Sequence, residues 1–176
     1  MHQLLLLGSC ISLLWGGCSI PVLAQLKPDQ TLGPESSQLQ EQGEGQAAQR
    51  FVIDGGSSRS TILFHSFDEF NIANNQEVFF KNPAGIATII NRVTGSSSST
   101  IDGTLGILGS ADLFLLNPNG ILFGPNAELD IAGSFTASTA DHIRVDNFDF
   151  SAVTPTAIPL LTLNVAPGIQ LGTNIP

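Results

Sequence analysis

The chain of 176 residues carries 15 Asp and Glu against 6 Lys and Arg, a formal net charge of −9. That balance repels phosphate backbones and anionic lipid, which sets nucleic acid aside as a partner. Charged residues make up only 12% of the chain and 11 Phe are present, so the composition is not that of a disordered chain either.

The first residues read as a secretory signal. An apolar stretch opens at residues 4–7 and runs through Ile11, Leu13, Leu14 and Trp15. Val22-Leu23-Ala24 supplies a small-residue cleavage site, with Gln25 as the new N-terminus. Gly16, Gly17 and Pro21 break the stretch, which falls short of the ~20 apolar residues a spanning helix needs. The signal implies the inner-membrane export machinery as a first partner. Gly16-Gly17-Cys18 loosely suggests lipoprotein processing, but Trp15 stands where that signal wants an aliphatic residue. Removal of residues 1–24 takes both cysteines, Cys10 and Cys18, so no disulfide or thiolate chemistry remains in the mature chain. Such a chain holds together by burial and backbone pairing.

Residues 25–49 are polar, rich in Gln, Glu, Gly and Pro, and show no apolar periodicity. A short helix over Gln38 to Arg50 is the alternative, and Gly43 and Gly45 spoil it. The expectation is a mobile polar leader.

From residue 50 to 176 the pattern is that of one β domain. Val, Ile, Phe and Thr are enriched, Gly, Asn, Pro and Ser punctuate them, and no helical stripe is sustained. Leu105, Leu113, Ile121 and Leu129 recur at eight-residue steps, and Ala137 continues the series. Ile107, Leu115, Phe123 and Ile131 form a second series two residues along, so each pair marks one buried strand face. Turns fall between the pairs, at Gly109-Ser110, Pro118-Asn119-Gly120, Pro125-Asn126 and Gly133-Ser134. A sandwich or barrel of hairpins fits this pattern, and so does a β-solenoid with three such faces to a coil. Tight turns and the scarcity of charge on the strands favour the solenoid.

Four segments carry a family resemblance. Residues 64–72 read FHSFDEFNI, residues 89–95 read IINRVTG, and residues 101–105 read IDGTL. Asn117-Pro118-Asn119-Gly120-Ile121 follows the strand-like run at residues 113–116. In this order they resemble the N-terminal two-partner secretion domain of the filamentous haemagglutinin family, and the last run matches that family's NPNGI signature letter for letter. The resemblance covers about half of the chain. A second family motif, NPNL, is degenerate here: only Asn82 and Pro83 of it remain in Asn82-Pro83-Ala84-Gly85.

The resemblance implies a right-handed parallel β-helix with a few extra antiparallel strands. It implies capture by the periplasmic POTRA domains of an outer-membrane β-barrel transporter, passage across both membranes, and a secreted or cell-surface destination. Members usually continue into a long passenger, often an adhesin acting on host or neighbouring cells. No polar cap is visible after the strand expected at residues 160–165, so the expectation is a chain truncated at its C-terminus.

Each candidate residue also has a plain reading. Asn117 and Asn119 either meet the transporter or shape a turn. Asp54, Asp68, Glu69, Asp102, Asp112, Glu128 and Asp130 are the carboxylates available for acid–base work, but they form no compact cluster with a base and read as solvated turn residues. His65 and His142 lack a ligand partner at zinc spacing, and His65 sits among Phe64, Phe67 and Phe70. Those three with Phe79 and Phe80 form either a partner patch or a buried cap. Residues 96–100 read as a flexible Ser/Thr loop, with a glycan-acceptor tract as the alternative. No phosphate loop or nucleophile elbow is present, and no cofactor is implied. The sequence reads as a non-enzymatic export module, with a free-standing adhesion module and a β-helical carbohydrate enzyme as alternatives.

Overall fold

The computed structural model describes residues 26–42, 49–159 and 170–171. The cleavage site at Ala24 and Gln25 and the strand expected at residues 160–165 lie outside the described residues. After β1 (Leu26–Pro28) and β2 (Ser37–Gln42), the chain winds in coils. The first coil holds β3 (Gln49–Gly55), a short β4 (Ser57–Arg59) and β5 (Ile62–Phe70). The second holds β6 (Gln76–Lys81), β7 (Thr88–Val93) and β8 (Ser99–Ile101). The third holds β9 (Thr104–Leu108), β10 (Asp112–Leu116) and β11 (Ile121–Phe123), and β12 (Glu128–Asp130) with β13 (Phe135–Ser138) begins a fourth. An antiparallel unit follows, built from β14 (His142–Val145), β15 (Phe148–Ser151) and β16 (Gln170–Leu171).

Equivalent strands of successive coils stack in parallel, as β3-β6-β9-β12, β5-β7-β10-β13 and β8-β11. The fold is a β-solenoid. The eight-residue step has a direct meaning in it: Leu105, Leu113 and Ile121 fall on the three sheets of one coil, and Leu129 returns to pair with Leu105. The series then slips. Ala137 stacks on Leu115, while Leu113 pairs with Phe135. Burial also departs from the expectation. Leu105 and Leu113 are fully buried, but Phe123 and Leu129 are each 46% exposed. Among the described residues no strand stacks above β11 or β12, so their inward faces lack a covering coil.

The second sheet is buried on both faces. Leu63, Phe67, Ile89, Val93 and Leu113 point into the solenoid core. Ile62, Phe64, Ile90 and Leu116 point outward and meet Ile143, Val145 and Phe150 of the β14–β15 hairpin. Phe64 and Phe150 pack edge to face with centroids 5.0 Å apart. Five Phe flagged in the sequence, at positions 64, 67, 70, 79 and 80, are all buried. They form no exposed partner patch.

The polar segment expected to be a mobile leader is built into the fold over residues 26–42. β1 pairs antiparallel with β5, and β2 with β3, so the arm covers the starting edges of two sheets. Edge pairing needs backbone groups rather than an apolar face, so the segment's polarity hid it. Leu32 is buried in the outer cluster and Leu39 packs on the inner one.

Arg92 fastens the arm and the hairpin to the sheet between them. It is fully buried, and its guanidinium lies 4.1 Å from the Phe150 ring centroid. It donates to Ser66 Oγ (2.9 Å), Thr31 Oγ1 (2.7 Å), Ser151 O (2.9 Å) and Thr156 O (3.0 Å). The Ser66 and Thr31 hydroxyls in turn donate to Asp29, which also accepts from Thr94 Oγ1 at 2.6 Å. Two hydroxyls thus bridge a buried cation to a half-buried carboxylate. Burial lowers the Arg92 pKa to about 10, which leaves it charged at neutral pH. Burial pushes Asp29 up, but the hydrogen bonds from Thr94, Ser66 and Thr31 outweigh it and hold the carboxyl below its usual range.

Phe150→Ala removes the ring that covers Phe64 and stacks on Arg92. It should destabilise the chain by about 3–5 kcal/mol, read as a lower urea midpoint in circular dichroism.

Candidate functional site

A coil turns sharply where it passes from one sheet to the next. At each corner the ladder is interrupted, and the turn's N–H and C=O groups need other partners. Three of the four matched segments supply them in one column, at the corner between the second and third sheets.

Coil three reaches this corner at Asn117-Pro118-Asn119-Gly120. The Gly120 N–H donates to Asn117 O (3.1 Å), closing a tight turn, and Gly120 has φ +112°, a conformation that favours glycine. Asn117 Oδ1 accepts from the Asn119 N–H at 2.9 Å. Asn117 Nδ2 reaches the coil before, donating to Ser97 O (3.0 Å) and Ser99 Oγ (3.0 Å). Asn119 Nδ2 donates to Gly95 O at 2.8 Å. Gly95 in turn lies against coil one: a Cβ there would come within 2.1 Å of Asp68 O. Coil one adds Asn71, whose Oδ1 accepts from the Thr100 N–H at 2.8 Å. Three segments separate in sequence therefore stack as one column, from Asp68 and Asn71 through Gly95 to Asn117 and Asn119.

Asn117 is fully buried, and its amide is committed to protein atoms. In the folded chain it shapes the corner and offers no surface. Pro118 is half-buried, Asn119 is exposed, and Ile121 begins β11. Ser96 and Ser97 are exposed, but the Ser/Thr loop is pinned to Asn117 at Ser97 and Ser99.

Asn82 and Pro83 occupy a different corner, between the first and second sheets. The Ile86 N–H donates to Pro83 O at 3.2 Å, so the turn survives the altered sequence. With its amide nitrogen facing the carbonyls, Asn82 donates to Ile86 O (3.1 Å) and Pro83 O (3.3 Å). Its oxygen then accepts from the N–H groups of Ser110 (3.2 Å) and Ala111 (3.2 Å), one coil on. Ala84 and Gly85 are exposed.

The same device recurs at residues read from sequence as solvated carboxylates. Asp102 Oδ1 accepts from the Asn126 N–H at 3.0 Å, and Asp112 Oδ1 from the Ser134 N–H at 2.7 Å. The available signal was an Asx residue one coil before each turn. The other carboxylates are dispersed. Asp54 pairs with Lys81 and Asp68 with Lys27, while Glu128 lies 3.4 Å from Thr104 Oγ1. Lys81 and the Gly55 N–H hold Asp54 below the usual carboxylate range. Among the described residues no three His, Cys, Asp or Glu side chains converge as a metal set. His142 sits on the outer hairpin, with Nδ1 2.6 Å from Asp141.

His65 is buried in the first coil, with Nδ1 3.0 Å from Ser37 Oγ and its ring 5.2 Å from that of Phe80. Burial lowers its pKa from 6.5 to about 3. The unfolded chain therefore binds a proton that the folded chain refuses, and stability falls as pH drops below 6.5.

Against this geometry, comparison with known proteins is decisive. The model of the TPS secretion domain matches residues 24–176. The chain belongs to the TPS secretion domain family. Members of this family are the secretion domains of exported proteins. A heme/hemopexin-binding protein of Haemophilus influenzae (strain ATCC 51907 / DSM 11121 / KW20 / Rd) is 40% identical over 96 residues, which cover 54% of this chain and 10% of that protein. A second heme/hemopexin-binding protein of Haemophilus influenzae is 36% identical over 102 residues, covering 58% of this chain and 10% of its own. The aligned part of this TPS secretion domain thus spans about a tenth of each relative's length. No solved structure matches the chain.

Asn117→Ala removes bonds to both coils and should cost about 2–3 kcal/mol, whereas Asn119→Ala at the exposed position should cost under about 1 kcal/mol, both measured by urea unfolding. A pH series should show stability falling by up to about 1.4 kcal/mol per unit between pH 6.5 and pH 4.5. Carboxylates with lowered pKa, Glu35 from an ordinary value of 4.5 among them, add a loss of the same sign toward the lower end, so the His65 share is the part of the slope that His65→Gln removes.

Proposed function

We propose that this chain is the secretion-signal domain of a haemagglutinin-like exoprotein, recognised by the periplasmic POTRA domains of a dedicated outer-membrane transporter. The observation that carries the reading is the family match over residues 24–176. The match begins beside the cleavage site expected at Ala24 and Gln25, which supports a signal peptide over residues 1–24 and a mature domain that follows. The geometry supports the reading from another side: the matched segments close the corners of a coil, and Asp54, Asp68, Asp102 and Asp112 are committed to ion pairs and turns.

The recognition mode we favour is β-augmentation. The starting edges of two sheets are occupied by β1, β2 and β4, while β11, β12 and β13 carry unpaired backbone among the described residues. The relatives are named for heme/hemopexin binding, but the aligned region is about a tenth of each. Export rather than ligand capture is the role we assign to it, and adhesion belongs to the full-length protein. A free-standing surface-binding module is the second reading, favoured by the exposed Leu122 and Phe123 beside the last coil.

The test is co-expression with candidate outer-membrane transporters, scoring the culture medium for the chain. Export should require the transporter. Asn117→Leu, which cannot bond Ser97 or Ser99, should lower export several-fold. Asn119→Ala separates shape from direct reading: export near the parental level supports recognition of the folded corner, whereas a large loss with stability intact supports contact with the Asn119 side chain. Equal amounts in the medium with and without a transporter would sink the reading.

A further inference from the structure

The solenoid core contains one polar rung. His65 on β5 and Asn91 on β7 are register partners in the parallel ladder, and Leu115 on β10 continues the row. Both side chains are fully buried. They lie in the row between Leu63/Ile89 and Phe67/Val93, which point into the apolar core. His65 Nδ1 reaches Ser37, but His65 Nε2 and both amide atoms of Asn91 have no protein partner. Among the described residues these three are the buried side-chain atoms left in that condition. All three belong to one pair of register partners, one coil apart.

Such groups lose water on folding and regain little from the protein. An internal water bridging them would still be an ordered molecule confined in an apolar core. Either way, closing coil two on coil one buries polar groups at a loss. An aliphatic residue at position 91 would extend the row formed by Leu115. The rung therefore opposes pairing of β5 with β7, the step that starts the stack.

We propose that the His65–Asn91 rung is a folding brake that slows closure of the first two coils and so lengthens the time the chain remains threadable. The proposal rests on the secretion reading above: a chain bound for a transporter pore gains from folding late.

The experiment compares wild type with Asn91→Leu, and with Asn91→Ile in case Leu packs badly. Purified chain is unfolded in urea and refolded, followed by circular dichroism, and export is scored with the transporter that secretes the wild type. At least one variant should unfold at higher urea, refold about fivefold faster, and appear in the medium at less than about half the wild-type level. If neither variant refolds faster, the rung is not a brake. Faster refolding with export unchanged also overturns the proposal while leaving the secretion reading intact. If no transporter secretes the wild type, the secretion reading fails and the brake falls with it.

Discussion

A coil that returns on itself must interrupt its hydrogen-bond ladder at every corner, and the stranded backbone groups must be satisfied from elsewhere. Most of what is distinctive in this chain follows from that constraint. Strand faces can be built from many aliphatic residues, but a corner requires a short side chain with both a donor and an acceptor, or a carboxylate aimed at an N–H. Asn71, Asn82, Asp102, Asp112, Asn117 and Asn119 meet the requirement, each tying its own coil to the next or the one before. The family's letters are thus corner chemistry. Asn117 is fully buried, so its place in the turn is a packing fact as well as a polar one.

The same view accounts for the degenerate motif. Asn82 supplies four bonds and Pro83 sets the bend, while Ala84 and Gly85 face solvent. Of the two altered positions, Gly85 still takes part in the turn, at φ +88°.

Legibility of the sequence followed the period of each signal. The inward faces of the third coil were readable because Leu105/Ile107 and Leu113/Leu115 repeat at fixed steps, and that step led to the solenoid. The second sheet's outer face was not readable. Phe64, Ile90 and Leu116 belong to runs with no alternation, as expected where both faces of a strand are covered. Their cover comes from β14 and β15, far along the chain. The arm at residues 26–42 was misread for a related reason: strands that cap an edge bond through backbone, and polar side chains do not prevent it. The corner column was visible only as letters. Its three levels are about one coil apart in sequence, and the stack brings them together.

Arg92 has a consequence for the order in which the molecule can be completed. Its partners run from Thr31 to Thr156, and a second tether joins Arg59 to Pro159 O at 2.8 Å. For a polypeptide leaving a pore with its N-terminus ahead, the starting cap and the first coils emerge early, but the hairpin and the carbonyls of Ser151 and Thr156 emerge only after the last coil. Until then Phe64, Ile90 and Leu116 lie wet on an uncovered sheet. The outer face of that sheet is therefore closed only after the last coil is made, by residues 142–159, with β16 then adding to β14.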